Sequence, residues 1–282
     1  MRTPSRRRVP DVLNISATVA SRRPRGHLDP DDEALRIERL PVSPDLSDLA
    51  RHVWIGRWDV PDGQVRRHRV LPYPGCNLVV TSDEAALYGP ASRVFTRELR
   101  GRSWVLGVLL QPAATAVLAS TRPRALVDGH EPLPGGPWTV VRAHMAGDAA
   151  SVACSLVEEW LRPHAERIDA TGRLVNEICQ VAESDDSVLT VDDLAARLGM
   201  AVRTLNRALS ERVGVTAKWL IDRRRLRQAA HVLREHPDTS LADVAAALGF
   251  ADQAHFTRRY SAIIGESPGT YRRRAGRRRS GG

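Results

Sequence analysis

The C-terminal third of the chain contains an internal duplication, and no other feature narrows the fold so sharply. In the first copy Val191, Leu194, Ala195 and Leu198 fall at i, i+3, i+4 and i+7 behind Thr190; in the second, Leu241, Val244, Ala245 and Leu248 do the same behind Ser240. That spacing predicts two short amphipathic helices with hydroxyl N-caps. Each runs into a glycine, Gly199 or Gly249, placed four residues after a small alanine. A glycine stops the helix in a left-handed turn, and the alanine lets a second helix cross closely, which is the pattern of a helix-turn-helix unit.

The second helix of each unit is expected to bury Leu205, Leu209 and Val213, or Phe256, Tyr260 and Ile264. Its opposite face carries Arg203, Asn206, Arg207 and Ser210 in the first copy, and Gln253, Thr257, Arg258 and Ser261 in the second. These faces hold no carboxylate, whereas Asp192, Asp193 and Asp243 sit near the N-termini of the other helices, where negative charge suits the helix dipole. Donors and acceptors of this kind match base edges and phosphates.

Charge follows the same division. Residues 186–282 hold 17 Arg and Lys218 against 10 carboxylates, while residues 1–185 hold 24 Arg against 23 carboxylates, so nearly all of the net charge of +9 lies at the C-terminal end. A basic module joined to a near-neutral one is the footprint of a nucleic-acid reader fused to something else. All the basic residues but Lys218 are arginine, which reads as coding bias and carries no function.

Residues Thr190–Arg273 resemble the C-terminal DNA-binding domain of the AraC/XylS family of bacterial transcription regulators. The resemblance rests on Leu198-Gly-Met-Ala-Val-Arg-Thr-Leu-Asn-Arg, Gly214-Val-Thr-Ala, Arg225-Leu226, Ala229, Leu233, Gly249-Phe-Ala-Asp-Gln-Ala-His-Phe-Thr-Arg and Gly265-Glu-Ser-Pro-Gly-Thr-Tyr-Arg. Ala201, Thr216-Ala217, Leu220 and Ala254 depart from the family's usual residues, and Ala201 and Ala254 remove polar contacts. The resemblance implies two helix-turn-helix units joined by a long helix near Lys218–Arg234, presenting recognition helices about 34 Å apart to successive major-groove segments. It places the base-facing residues at Arg203, Asn206, Arg207, Gln253, Ala254, Thr257 and Arg258, and the polar face of the first unit adds Ser210 to the expected DNA-binding set. Arg225 matches a structural position, Arg223 and Arg224 are left as phosphate contacts, and His255 is expected to pack beside Phe256. The Arg272–Arg279 cluster is read as phosphate attraction or a solvated tail.

Upstream, residues 41–135 show short β-type runs bounded by Pro and Gly, among them His52–Trp58, Gln64–Val70, Asn77–Thr81, Arg93–Thr96 and Ser103–Leu110. They suggest a small antiparallel barrel or sandwich, cupin-like in kind. Leu71-Pro-Tyr-Pro-Gly-Cys-Asn-Leu-Val-Val and Gly107-Val-Leu-Leu-Gln-Pro-Ala-Ala resemble the β-rich sensory domain, of unassigned ligand, that precedes this DNA-binding domain in many regulators. Trp54, Trp58, Tyr73, Phe95 and Trp104 are candidates for a pocket or simply for the core. The expected fold class is α+β, with a β-rich N-terminal domain and an all-α C-terminal one. The expected organisation is a disordered tail at 1–40, the β-rich sensory or dimerisation domain at 41–135, a connector of two helices at 136–184, the DNA-binding domain at 185–275 and a basic tail at 276–282.

Other classes find little support. No apolar run is long enough to cross a membrane and no signal-like segment opens the chain, so a cytoplasmic protein is expected. Cys76, Cys154 and Cys179 form no C-x-x-C pair and are read as packed or free thiols. His52, His68 and His130 lack metal-ligand spacing. No G-x-S-x-G, phosphate loop or framed carboxylate pair marks an enzyme, and no cofactor is expected. The expected partners are double-stranded DNA, RNA polymerase and, through the β-rich domain, a small-molecule effector or a second copy of the chain. The rival reading is an architectural protein coating DNA without sequence preference.

Overall fold

The computed structural model describes residue 28, residues 34–71 and residues 73–279. Its fold is α+β, an antiparallel β-rich half followed by a helical half. The strands are β1 (Leu35–Pro41), β2 (Ala50–Asp59), β3 (Arg66–Val70), β4 (Asn77–Val80), β5 (Ala85–Tyr88), β6 (Phe95–Leu99), β7 (Arg102–Leu110) and β8 (His130–Pro132). Six of them form one sheet in the order β1-β2-β7-β4-β5-β8, and β3 pairs with β6 as a separate ribbon.

Both faces of the six-stranded sheet are used, and the two-residue period of each strand decides which side chain goes where. Val53, Ile55, Leu78, Val80, Leu87, Leu106, Val108 and Leu110 point to one side and form a core with the helices that follow. The alternate positions, including Trp54, Trp58, Asn77, Val79, Tyr88, Val105 and Leu109, face a cavity of about 510 Å³ whose other wall is the β3–β6 ribbon. Gly107 lies on this second face because any side chain there would overlap the Trp54 ring. Four of the five aromatic candidates, Trp54, Trp58, Tyr73 and Phe95, line the cavity, whereas Trp104 packs on the opposite core.

Strand β1 begins inside the stretch 1–40 that the sequence suggested was a tail, and Leu28 is buried as well. In Leu35-Arg-Ile-Glu-Arg-Leu-Pro the polar positions Arg36 and Glu38 are exposed on an edge strand, so the hydrophobic alternation is diluted. Residues 1–27 and 29–33 of that expected tail lie outside the described residues. All three cysteines are buried free thiols; burial raises Cys76 to about 12 and Cys154 to about 11 and lifts Cys179 further, which leaves them unreactive at neutral pH.

His52, half-buried beside the cavity, is held neutral. Burial first, and then the charges of Arg39 and Arg51, lower its pKa to about 4. The unfolded chain takes up this proton near pH 6.5, but the folded site refuses it until about pH 4, so stability falls as pH drops through that window. Allowing for solvent screening, the loss is about 1–2 kcal/mol. Comparing thermal or urea midpoints at pH 7 and pH 4.5 for the native chain and His52→Gln checks this: the variant is expected to lose less on acidification.

Two short turns, α1 (Thr115–Leu118) and α2 (Pro123–Leu126), precede three connector helices, α3 (Trp138–Ala146), α4 (Ala150–Ala165) and α5 (Ala170–Ser184). The sequence reading had two. Helices α3 and α4 close the core under the sheet through Trp138, Val141, Met145, Val157 and Leu161, while α5 belongs to the helical half through Val175, Ile178 and Cys179.

The helical half contains α6 (Val191–Arg197), α7 (Val202–Arg212), α8 (Ala217–Glu235), α9 (Leu241–Ala247), α10 (Gln253–Ile264) and α11 (Pro268–Arg279). Gly199 and Gly249 end α6 and α9 at φ +62° and +72°, conformations that disfavour any residue with a Cβ. Thr190 and Asp193 form a reciprocal capping box at α6, and the Ser240 hydroxyl caps α9. Thr190→Ala is expected to cost about 1 kcal/mol, measurable as a lower denaturation midpoint.

Candidate nucleic-acid interface

The two copies of the repeat build two versions of the same object. In the first, Leu205, Leu209 and Val213 are fully buried and anchor α7 against α5, α6 and the start of α8. In the second, Phe256, Tyr260 and Ile264 anchor α10 against α8, α9 and Tyr271 of α11. Because these anchors recur every four residues, the remaining positions of each helix are held outward. Arg203, Arg207 and Ser210 are exposed on α7, as are Gln253, Ala254 and Arg258 on α10, with Thr257 half-buried among them.

Asn206 differs from the rest. It is half-buried, and its Oδ1 accepts the Ala217 amide at 3.1 Å, tying the recognition helix to the start of α8. One lone pair of its Oδ1 is therefore used inside the protein, which competes with the two-pronged contact that an asparagine makes to adenine. His255 packs edge-on to Phe250 with ring centroids 5.7 Å apart, the structural role expected of it.

The connecting helix corrects one expectation. Arg223 and Arg224 do not face phosphate; they are 1% and 2% exposed. Arg224 donates to the carbonyls of Asp185 and Val188, closing the turn after α5, and Arg223 donates to the carbonyl of Ala91 in the β-rich half. Burial lowers the Arg223 pKa to about 9, which leaves it charged at neutral pH, and pulls Arg224 down too. Arg225 is structural, as the sequence suggested: its Nε donates to the Leu248 carbonyl at 2.6 Å, its guanidinium lies 4.0 Å from the Phe250 ring centre, and Asp222 stands 3.8 Å away. Asp222 also takes Arg259 of α10, so both units are bolted to the same helix. In α11, Arg272 donates to the Thr239 carbonyl and Arg274 pairs with Glu266, so this part of the basic cluster is used in folding.

Sequence reasoning missed the contacts between the two halves, because they join residues far apart in the chain. The Val94 amide donates to the Ile263 carbonyl at 2.9 Å, Arg69 pairs with Glu266 at 2.7 Å, and Arg51 pairs with Glu183 at 2.7 Å. Arg51 and Arg227 both lie over Tyr73. Gly214, at φ +83°, lets the turn after α7 touch the Pro123 backbone, where any side chain would overlap it. All of these contacts leave the exposed faces of α7 and α10 uncovered.

Comparison with known proteins divides the chain at the same place. Residues 194–274 match the family described as a helix-turn-helix domain, and residues 38–132 match a domain of unknown function (DUF6597). The chain is 33% identical over 124 residues to the transcriptional activator NphR of a Rhodococcus species, covering 43% of this chain and 36% of that protein. It is 26% identical over 131 residues to the Msm operon regulatory protein of Streptococcus mutans, covering 46% and 47%. With the HTH-type transcriptional activator RhaS of Klebsiella pneumoniae it shares 39% identity over 66 residues, covering 23% of each. The chain thus spans less than half the length of these curated relatives. Among solved structures, the DNA-binding domain of AdpA in complex with a target DNA is 30% identical over 38% of this chain and 96% of that one, with a TM-score of 0.32. That value is too low to carry any detail of the interface. Residues 194–274 are a helix-turn-helix domain of the AraC/XylS type, joined in this chain to a β-rich domain of unassigned role.

Proposed function

We propose that the chain is a sequence-specific DNA-binding transcription regulator, in which α7 and α10 enter successive major-groove segments and the β-rich domain adjusts their action. One observation carries the reading: two exposed helix faces, one of Arg203, Arg207 and Ser210 and one of Gln253, Ala254 and Arg258, with Glu211 in the last turn of α7 as the one carboxylate on either helix, are mounted on separate cores that share the α8 shaft. In this reading Arg203, Arg207 and Arg258 donate to guanine edges or phosphate, Gln253 addresses adenine, and Ser210 and Thr257 make hydroxyl contacts. Ala254 contributes only an apolar contact, of the kind that suits a thymine methyl. Asn206 serves through its free amide nitrogen and by holding α7 in place.

The names of the relatives NphR and RhaS, both transcriptional activators, support activation as the sign of the effect; contact with RNA polymerase, without catalysis by the chain itself, is part of this proposal. Among the described residues no helix is long and apolar enough to cross a membrane, which agrees with action in the cytoplasm. Pairing of two copies through the β-rich domain would double the site length.

Genome-wide selection of bound fragments, followed by affinity measurements on the best fragment and on random duplex at one salt concentration, tests the proposal. The expected ratio is about 10³–10⁷. A ratio near one with a steep salt dependence supports the architectural reading instead.

A further inference from the structure

The cavity between the six-stranded sheet and the β3–β6 ribbon is built unlike an ordinary core. Its floor is apolar and closed: Trp58, Val79, Leu99 and Val105 are buried there, and the Trp54 ring lies flat against the sheet because Gly107 has no side chain. At about 510 Å³ it lies within the range of pockets that take drug-sized molecules, roughly 300–1,000 Å³. A concave, largely apolar surface of this size with a few polar groups at its edge is the usual form of a small-molecule site.

The charge on its walls is one-sided. Arg39, Arg93 and Arg97 all line it, and among the described residues none of the three has a carboxylate partner. Arg97 rests over the Trp58 ring at 5.8 Å, and Arg39, on β1, is exposed at the rim. The carboxylate on the lining, Asp128, already accepts the Ser92 amide at 2.5 Å. Arg51 and Arg69, half-buried like Arg97, are by contrast matched, with Glu183 and Glu266. Arg97 is half-buried against Trp58, while Arg39 and Arg93 are exposed at the rim, so three guanidinium groups beside one engaged carboxylate give the mouth of the cavity a positive potential that favours an anion.

We propose that this cavity binds a small anion with an apolar, aromatic-sized body, the body lying on Trp54, Trp58 and Val79 and the negative group meeting Arg39, Arg93 and Arg97. The inference rests on reading the β-rich domain as the adjustable part of the regulator. The site also has a route to the DNA-binding half. The segment from Gly89 to Phe95 that walls the cavity is the same one whose Val94 amide holds the Ile263 carbonyl at the end of α10, and whose Ala91 carbonyl takes Arg223 of α8. An occupant pressing on this wall acts directly on the second helix-turn-helix unit.

The test uses two probes with the same aromatic frame, the anionic 1-anilinonaphthalene-8-sulfonate and the neutral N-phenyl-1-naphthylamine, titrated into the full chain and followed by probe emission and tryptophan quenching. The anionic probe is expected to bind at least about tenfold tighter than the neutral one. The double variant R39Q/R97Q, made at positions outside the buried core, is expected to erase that difference while neutral-probe binding stays within about twofold. Equal affinity of the two probes for the native chain, an undiminished preference in the double variant, or binding of neither probe overturns the proposal. No DNA is present in this experiment, so its failure leaves the specificity ratio of the DNA-binding reading untouched, and a ratio near one leaves the probe result untouched.

Discussion

Replacing Arg207 and Arg258 with alanine together is expected to cost about 2–6 kcal/mol of specific DNA binding, since a good base-edge contact is worth roughly 1–3 kcal/mol and the two arginines lie in separate units. Both side chains are exposed, neither makes an ion pair among the described residues, and each sits opposite a fully buried anchor of its own helix, Leu205 and Leu209 for α7 and Phe256 and Tyr260 for α10. Their removal therefore leaves the fold intact, and the thermal midpoint should stay within a degree or two. Titration of the best genomic fragment at fixed salt checks the loss, and each single variant should relax specificity at its own half of the site. Tight, unchanged binding by the double variant would show that the recognition faces lie elsewhere.

Phe256→Ala should be the most damaging single change in the helical half, costing about 3–5 kcal/mol. Phe256 is 0% exposed and touches two rings, Phe250 at 5.2 Å and Tyr260 at 5.6 Å between centroids, and Tyr260 in turn packs on Tyr271. Truncation opens a hole that these rigid rings cannot close. Because the two units have separate cores, the loss should be concentrated in the second. Amide hydrogen exchange gives the readout: protection along α9, α10 and α11 is expected to fall by factors of about 10² to 10³ or more, while Leu194 and Leu205 in the first unit keep most of theirs. Uniform loss across both units would show that α8 couples them more tightly than their side-chain packing indicates.

Much of the helical half was legible from residue order. Apolar side chains at i, i+3, i+4 and i+7, a capping hydroxyl at Thr190 or Ser240 and a glycine at 199 or 249 are all settled within one or two turns of chain. The outward positions of Arg203, Arg207, Gln253 and Arg258 followed from the inward ones. The β-rich half was less legible. Strand β5, Ala85-Ala-Leu-Tyr, is short and begins with two alanines, so it carries little strand signal of its own; it exists because β4 pairs with it on one side and β8 on the other. Strand β1 reads as a charged segment because its Arg36 and Glu38 face water.

The buried arginines show the limit most clearly. Arg223, Arg224 and Arg225 are identical in composition and adjacent in the chain, and nothing local separates a phosphate contact from a structural bond. Their acceptors, the carbonyls of Ala91, Asp185, Val188 and Leu248, arrive from elsewhere in the molecule. The engagement of Asn206 by the Ala217 amide is of the same sort.

Residue order alone determined that the chain holds two copies of a helix-turn-helix unit and which of their side chains face outward, because helical periodicity, capping and left-handed glycine turns are short-range properties of the backbone. Tertiary structure alone decided that one face of the sheet lines a cavity edged with unmatched arginines, that three neighbouring arginines turn inward, and that the cavity wall touches the end of α10. Those outcomes depend on contacts between segments as far apart as Arg69 and Glu266, where burial and charge pairing are set by what the fold brings together.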